Sequence, residues 1–437
     1  MGGNVKAKAE NRLYPCHSPP GVVSSETIAG GDVVFLKTLH RSWLACAGAT
    51  VMMFVSTGLV VNSLSVYLPY LLAEYGLTNA QGSWINTIRC LASLCSMPVV
   101  AGYYRRTGLR RGAGLAMALC AGSYVLFGLA RGFAGLCAAA VIAGVSYSLG
   151  GIVAATIAID AWFAGSKGTA MGICTAGSGV AAVVMPAILT RLLDTAGVSV
   201  TFFAEAGLML ALGLLVVGIF AWETPEQAGL TPYGTAPEAD AAPERRGGGM
   251  TKGYLLAMLL AMAFIGSVGG PGYSNAAVLF STQGYDSMAI AWAISLNGLM
   301  LIVCKCGFGF ITDRIGAYRT NFLFGGLLIG GFVLCLATVT GSGPVIFGAE
   351  LVLGAGWSIC TVGLPVWAGD LAAPEDHAAT VQKFQTAYSI GALVFSPVPG
   401  ILADASGSYL PAYALFTLQS VVILAVLQVT YRKCGAN

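Results

Sequence analysis

The stretch LIVCKCGFGFITDRIG, residues 301–316, begins inside a long apolar run and ends in a polar signature. Lys305 lies in the middle of the apolar part. An unpaired charge at the centre of a membrane helix costs at least about 2.5–3.5 kcal/mol on insertion scales. Two glycines, an aspartate and an arginine close the stretch: Gly309, Asp313, Arg314 and Gly316. The pattern predicts a helix that ends shortly after Lys305 and keeps a cation in its apolar part.

The composition is that of a membrane protein. The chain has 437 residues, of which 56% are hydrophobic and 9% charged, and its mean hydropathy is +0.77. Soluble domains carry about 25% charged residues, so this chain cannot cover a water-facing surface. Glycine is abundant, and small residues let membrane helices approach closely. The net charge of +3 indicates no nucleic-acid or other polyanionic partner.

Apolar runs long enough to cross a bilayer as helices, about 20 residues each, recur along the chain. We place the first set near residues 43–73, 82–103, 112–131, 135–159, 169–190 and 200–222. The second set lies near residues 253–275, 287–311, 320–340, 345–368, 379–402 and 410–431. These runs predict an all-α membrane protein with 12 transmembrane helices in two pseudo-symmetric six-helix bundles.

Polar segments divide the chain. Residues 1–40 contain proline and lack an apolar signal segment, which predicts a cytosolic N-terminal tail. Residues 223–252 are rich in Pro, Ala, Gly and charge, which predicts a flexible cytosolic linker. The two bundles then cover residues 41–222 and 253–431, and residues 432–437 form a cytosolic C-terminus.

Lysine and arginine concentrate in alternate loops. The rich positions are Arg105, Arg106, Arg110, Arg111, Arg245, Arg246, Lys252, Arg314, Arg319, Arg432 and Lys433. The opposite loops hold little beyond Arg131 and Arg191. Because cytosolic loops carry the excess of positive residues, both termini are predicted to be cytosolic. We expect a multi-pass protein of the plasma membrane.

The polar signature occurs in both halves, after helix 2 at residues 101–111 and after helix 8 at residues 309–319. Duplicated halves around a midplane site are a transporter architecture. The second copy, G-x-x-x-D-R-x-G, resembles the loop motif of the major facilitator superfamily. The resemblance implies a gating role for the motif, in which Asp313 caps a neighbouring helix, pairs with an arginine and so latches two helices in one state.

The first copy departs from the pattern. Ala101 stands for the first glycine and Arg105 for the aspartate, whereas Arg106 and Gly108 match. We therefore expect the first-half latch to be weaker or differently paired.

Three further segments are similar to the monocarboxylate transporter and oxalate:formate antiporter branch of that superfamily. They are residues 161–188, with the sequence AGSG inside them, residues 396–416 and residues 75–88. The whole resemblance covers the membrane region from about residue 43 to residue 431.

Lys305 stands four residues before Gly309, where members of that branch hold a cation for the substrate carboxylate. The resemblance therefore implies an anion-binding role. Lys305 also lies about 12 Å from Asp313 along a helix, which is deep for reaching the interface. Two readings stay open, a contact with substrate and a structural lysine that snorkels or pairs. A lysine is a point charge, so it predicts less geometric selectivity among anions than an arginine.

Other charges of that branch are missing here. Leu301 stands where monocarboxylate transporters keep an acid, and Asn62 stands near their helix-1 lysine. The lysine of helix 11 in the oxalate type falls near Tyr388 or Ser389. These departures count against proton symport by that route and against dicarboxylate binding.

Further candidates for substrate contact include the aromatics Tyr67, Tyr147 and Tyr388, on helices 1, 4 and 11, which line the cavity in this superfamily. Arg89 on helix 2 is a second cation, with Asn297 at the matching level of the other half. The predicted substrate-binding set is Lys305, Arg89, Asn62, Tyr67, Tyr147, Asn297 and Tyr388. For the others, as for Lys305, a packing or solvated role stays open.

Several other groups carry weaker expectations. Pro271, in GSVGGPGYSN at residues 266–275, predicts a bend in helix 7 that serves gating or is simply a loose helix end. Glu205 and Glu350 lie near helix ends and are expected to stay solvated unless they titrate during transport. All histidines, His377 among them, are predicted outside the spans.

The leading hypothesis is a secondary transporter that moves a small, monocarboxylate-like organic anion by alternating access, as a monomer, with H⁺ or a counter-anion as the coupling species. The alternative is a carrier for a neutral or drug-like solute in which Lys305 is structural. A transport-dead sensor is less favoured. The sequence offers no phosphate loop, metal set or nucleophile elbow, so we predict neither an enzyme nor a cofactor.

Overall fold

The computed structural model describes residues 41–77, 79–234, 250–373 and 376–434. The predicted tail, residues 1–40, and residues 235–249 of the predicted linker lie outside this part. Eleven helices in the described part are long and apolar enough to cross a membrane. The longest, Trp84–Leu129, has 46 residues, or about 69 Å of helix, more than twice the thickness of a bilayer core.

Gly108 divides that helix. Its φ of 74° and ψ of 173° are non-helical, and the left-handed region favours glycine because it has no Cβ. One of the eleven spans is therefore two crossings, and the described part contains twelve, as predicted. Gly316 ends the eighth helix with a similar turn, φ 82° and ψ 156°. The two motif copies thus share the same backbone turn.

The membrane helices are named α1 to α12. They are α1 (residues 41–75, ending in the segment Leu64–Tyr75), α2 (residues 79–107, beginning with the segment Asn79–Ser96), α3 (109–129), α4 (Phe133–Trp162), α5 (Lys167–Ala196), α6 (Val198–Ile219), α7 (Lys252–Gly272), α8 (Ser287–Ile315), α9 (Ala317–Ala337), α10 (Gly343–Leu371), α11 (His377–Ser406) and α12 (Leu410–Cys434). We call the side where α1 begins and α12 ends the terminal face.

Glycines bring equivalent helix pairs into backbone contact in the two halves. A Cβ on Gly144 of α4 would collide with the carbonyl oxygen of Arg89 on α2. A Cβ on Gly354 of α10 would lie 2.6 Å from the carbonyl oxygen of Asn297 on α8. The α2–α4 and α8–α10 contacts therefore use small residues in the same way, and Arg89 and Asn297 occupy matching places.

Two helices change their winding in the membrane. The segment Phe54–Ser63 of α1 and the segment Val268–Gly272 of α7 are π-helical. The second contains Pro271, at the place where the sequence predicts a bend, and a short helix Ala276–Thr282 follows it. π-Helical turns are often found at functional sites, and α1 and α7 occupy matching positions in the two halves.

One end of the described part of the predicted linker contacts the first half at Tyr233. The backbone N–H of Tyr233 donates to the carbonyl of Trp162 at 2.9 Å, and Ala164 N–H donates back to the Tyr233 carbonyl at 2.8 Å. The Trp43 ring packs edge-on against the Tyr233 ring, with centroids 6.2 Å apart. Paired backbone and an aromatic contact place the segment around Tyr233 against the end of α4, and the linker over residues 223–252 stays a prediction.

Candidate functional site

The two halves meet closely along α5 and α8. A Cβ on Gly309 of α8 would collide with the carbonyl of Gly168 on α5, and one on Gly172 would lie 2.5 Å from the carbonyl oxygen of Lys305. At both positions glycine has no Cβ, so the backbones of the two helices come into direct contact. This contact extends from the terminal face up to the level of Lys305.

Lys305 reaches across this contact. Its Nζ lies 3.3 Å from the carbonyl oxygen of Thr175 and 3.3 Å from Oγ of Ser178, both on α5. The side chain is 4% exposed. Both partners are uncharged, and within the described residues no carboxylate lies at ion-pair distance from Nζ. The ammonium has three donors, so a buried positive charge and one donor remain for another acceptor.

Below Lys305, the motif aspartate ties α8 to α5. Asp313 accepts hydrogen bonds from the backbone N–H of Gly168 at 3.0 Å and of Thr169 at 2.7 Å, and from the Thr169 hydroxyl at 2.5 Å. Gly168 and Thr169 belong to the first turn of α5, where backbone N–H groups lack helical partners. The carboxylate of one half therefore caps a helix of the other. Arg314 takes no part in this contact. Its guanidinium stacks on the Phe310 ring, 4.1 Å from the ring centre.

The first-half copy of the motif is paired differently. The side-chain carbonyl of Gln382 on α11 accepts from the backbone N–H of Ala101 at 2.8 Å, and its amide donates to the Pro98 carbonyl at 2.7 Å. Ala101 matches Gly309 in the repeat. In this copy the neutral side-chain amide of Gln382, from the opposite half, makes the cross-half contact that the Asp313 carboxylate makes in the other copy. Arg106 is exposed. The turn at Gly108 leads into α3, where Arg110 N–H donates to Glu223 at 3.2 Å.

Another cross-half contact involves His377, the first residue of α11. Its Nδ1 pairs with the carboxylate of Asp160 on α4, and its Nε2 lies 2.8 Å from the carbonyl oxygen of Pro365 on α10. Asp160 also accepts from Lys167 at 2.9 Å. The prediction that His377 lies outside the spans is wrong, because it is the first residue of α11 and is buried, and its role in joining the halves was missed. A histidine before an apolar run gives no signal of its partner in the other half.

Three predicted substrate residues lie together. Arg89 is 5% exposed, and its guanidinium donates to Asn86 on its own helix at 2.8 Å. The Arg89 side chain lies near Tyr147 of α4, and Tyr147 lies near Tyr388 of α11. Both tyrosines are half-buried. The group therefore spans both halves, but its hydrogen bonds share no partner with those of Lys305.

Two other predicted substrate residues are bonded to buried acids. The Tyr67 hydroxyl donates to Glu205 Oε2 at 2.7 Å, and Asn297 Nδ2 donates to Glu350 Oε2 at 2.6 Å. Glu205 and Glu350 are 2% and 1% exposed. The expectation that these acids stay solvated is wrong, because each lies inside a helix contact and gains a hydrogen-bond donor there.

The remaining predicted residues lie at the changes of helical winding. Asn62 is half-buried in the π-helical segment of α1, and Pro271 is buried in that of α7. Within the described residues, no cluster of three or more His, Cys, Asp or Glu side chains could hold a metal ion.

Comparison with known proteins places this geometry in a family. The family model described as Major Facilitator Superfamily matches residues 47–396. The chain is 27% identical over 386 residues to the MFS transporter asaE of Aspergillus flavus, covering 84% of this chain and 81% of that one. It is 26% identical over 394 residues to the agnestins efflux protein AgnL12 of Paecilomyces divaricatus, covering 87% of this chain and 86% of that one.

A solved structure shares the fold. The crystal structure of the transporter FucP in the outward conformation superposes with a TM-score of 0.67 at 16% identity, covering 89% of this chain and 98% of that one. The family and the fold are those of membrane transporters rather than enzymes. With its twelve described crossings and the family match over most of its length, this chain belongs to the major facilitator superfamily.

Proposed function

We propose that this transporter exports a small organic acid by alternating access, with Lys305 as the contact for the acid's carboxylate. One observation supports this most directly: a buried ammonium at the junction of the two halves has only neutral oxygens as partners. Ionisable groups inside a membrane domain are costly and commonly functional.

A carboxylate would compete with α5 for this ammonium. When the acid binds, Lys305 exchanges the neutral oxygens of Thr175 and Ser178 for a charged acceptor, which makes a stronger hydrogen bond. The neutralised pair is less costly to enclose than the bare charge. When the acid leaves, the bonds to α5 form again. The exchange thereby links binding of the acid at Lys305 to the contact between α8 and α5.

The group formed by Arg89, Tyr147 and Tyr388 would hold the rest of the solute. Its members come from α2, α4 and α11, so both halves contribute. Tyrosine presents an apolar ring and a polar hydroxyl, which suits an amphiphilic organic acid.

Export is the direction that the relatives support, because one of them is named an efflux protein. The cross-half contacts of Asp313, Gln382 and His377 lie towards the terminal face, which we take to be cytosolic. This arrangement corresponds to a closed cytosolic side and release to the outside. The monocarboxylate-like substrate, the coupling to H⁺ or a counter-anion, the monomeric state and the plasma membrane location complete the proposal.

A second candidate is export of a neutral or drug-like solute. It is favoured by the packing of Lys305, since both of its hydrogen bonds join α8 to α5 and Gly172 abuts its backbone. In that case the lysine is a structural link between the halves.

The deciding experiment measures uptake by proteoliposomes for a panel of carboxylates and their neutral methyl esters. The variant is Lys305→Gln, and Lys383→Gln, which removes an exposed lysine of α11, is the matched control. We expect Lys305→Gln to lose carboxylate transport while the control retains it. Carboxylate uptake at the wild-type rate in Lys305→Gln would refute the anion role. Equal loss for carboxylate and ester would favour the structural role.

Coupling needs a separate measurement. Uptake driven by an imposed pH gradient is compared with uptake driven by preloaded internal anion. A response to only one of the two gradients identifies the coupling species.

A further inference from the structure

The arginines at the terminal ends of α8, α9 and α12 form a basic cluster. Arg314, Arg319 and Arg432 surround Tyr318, and we call these four residues the arginine cluster. A cavity of about 560 Å³ opens there, lined by Arg314, Ile315, Tyr318 and Arg319. A shallow space with two arginines in its wall is suited to an anionic group.

The nearby acids do not neutralise this charge. Asp313 is bonded to the first turn of α5, and Asp370 accepts from the Tyr431 hydroxyl at 3.0 Å. Across the described ranges, no carboxylate lies within ion-pair distance of the three arginines. Because the acids are engaged elsewhere, the cluster keeps its positive charge.

Aromatic contacts orient two of these arginines. The Arg314 guanidinium lies 4.1 Å from the centre of the Phe310 ring. Arg432 donates through Nε to the Tyr318 hydroxyl at 2.7 Å, and the Gln428 amide donates to the Tyr318 carbonyl at 3.0 Å. Arg314 contacts the face of the Phe310 ring, and Arg432 uses its Nε–H for the Tyr318 hydroxyl. Guanidinium N–H groups of both arginines therefore remain to donate to a bound ligand.

The surroundings of the cluster are apolar and exposed. Phe310 is 46% exposed, Ile315 44% and Phe322 68%, as expected for side chains that face lipid. A ligand that contacts both the arginine cluster and the exposed apolar side chains needs an anionic headgroup and acyl chains. A free phosphate would satisfy only the arginines.

We propose that the arginine cluster is a binding site for an anionic phospholipid of the cytosolic leaflet. The headgroup phosphate lies between Arg314 and Arg319, which can each form paired hydrogen bonds with phosphate oxygens, and the chains follow the exposed side chains of α8 and α9. Basic pockets between helices on the cytosolic side bind such headgroups. The site is independent of the transported solute.

The test is native mass spectrometry of the full-length protein in detergent, with phosphatidylglycerol, with phosphatidylcholine and with inorganic phosphate alone. The variant is Arg314→Gln/Arg319→Gln. The matched control is Arg105→Gln/Arg111→Gln, which removes the same charge from exposed positions of the first half. We expect phosphatidylglycerol to bind more tightly than phosphatidylcholine, and the variant to bind it about 25-fold more weakly, at roughly fivefold per arginine.

Three results would overturn the proposal: equal binding of both lipids, equal loss in the control variant, or occupancy of the site by inorganic phosphate as strong as by phosphatidylglycerol. A charge-conserving variant, Arg314→Lys/Arg319→Lys, is expected to retain most of the binding. Its melting temperature, with that of the glutamine variant, shows whether the fold is intact.

Discussion

Asp313 and Thr169 join the two halves through two hydrogen bonds, at 2.7 Å from the Thr169 backbone N–H and at 2.5 Å from its hydroxyl. The carboxylate also lies at the positive end of the α5 helix dipole, where a negative charge is favourable. Because α5 and α8 belong to different halves, this contact exists only while the terminal sides of the halves are together. This contact supports the latch role of the motif, which stays a prediction.

Asp313→Asn should loosen this contact. The amide keeps one acceptor oxygen but loses the negative charge and places an NH₂ group against backbone N–H donors. We expect the equilibrium to shift away from the closed terminal side by about 1–3 kcal/mol. The measurement is labelling of a cysteine at Ala101 with a membrane-impermeant thiol reagent, which should become faster.

The matched control for that variant is Asp404→Asn, which changes an exposed acid of α11. Labelling at the wild-type rate in Asp313→Asn would show that the aspartate does not hold the closed arrangement.

Gln382 should act as the second latch. Gln382→Leu removes the acceptor for Ala101 N–H and the donor for the Pro98 carbonyl, whereas Gln382→Glu keeps only the acceptor. We expect the leucine variant to open the terminal side more than the glutamate variant, and its effect to add to that of Asp313→Asn because the two contacts share no partner. The same labelling assay measures both. Identical labelling of both variants and the wild type would contradict the prediction.

Periodicity and spacing predict the helices because membrane insertion is a local property of the sequence. The twelve runs, the turn after Gly108 and the level of Lys305 above Asp313 all follow from residues close to one another in the chain. The family match confirms the superfamily that the motif resembles, while the monocarboxylate branch remains a proposal.

Contacts between the halves could not be predicted in the same way. Gln382 and Ala101 are far apart in the chain, and nothing local marks a glutamine as the partner of a backbone segment. The same holds for His377 with Asp160, and for Tyr67 with Glu205. Glu205 and Glu350 lie near helix ends, which predicted that they stay solvated. A neighbouring helix covers each of them, and this could not be read from their position along the chain.

Close packing of α5 on α8 gives a prediction that compares two glycines of one helix. A Cβ on Gly309 would collide with the Gly168 carbonyl, whereas a Cβ on Gly307 meets nothing within 4 Å. Gly309→Ala should therefore destabilise the protein by about 1–3 kcal/mol, while Gly307→Ala should be neutral or slightly stabilising. Melting temperatures in detergent measure both, and equal values would contradict the close contact.

The pair of Tyr67 and Glu205 gives the last prediction. The Tyr67 ring stacks on Phe202 with centroids 3.9 Å apart, and its hydroxyl donates to Glu205. Tyr67→Phe keeps the stack and removes only the donor to a buried carboxyl, so we expect a loss of about 1–3 kcal/mol of stability. Glu205→Gln keeps an acceptor for the tyrosine and should cost less. In the double variant the two losses should not add, since both changes act on one bond. Melting temperatures of the four proteins in the cycle measure the coupling, and strictly additive losses would show that Tyr67 and Glu205 do not stabilise each other.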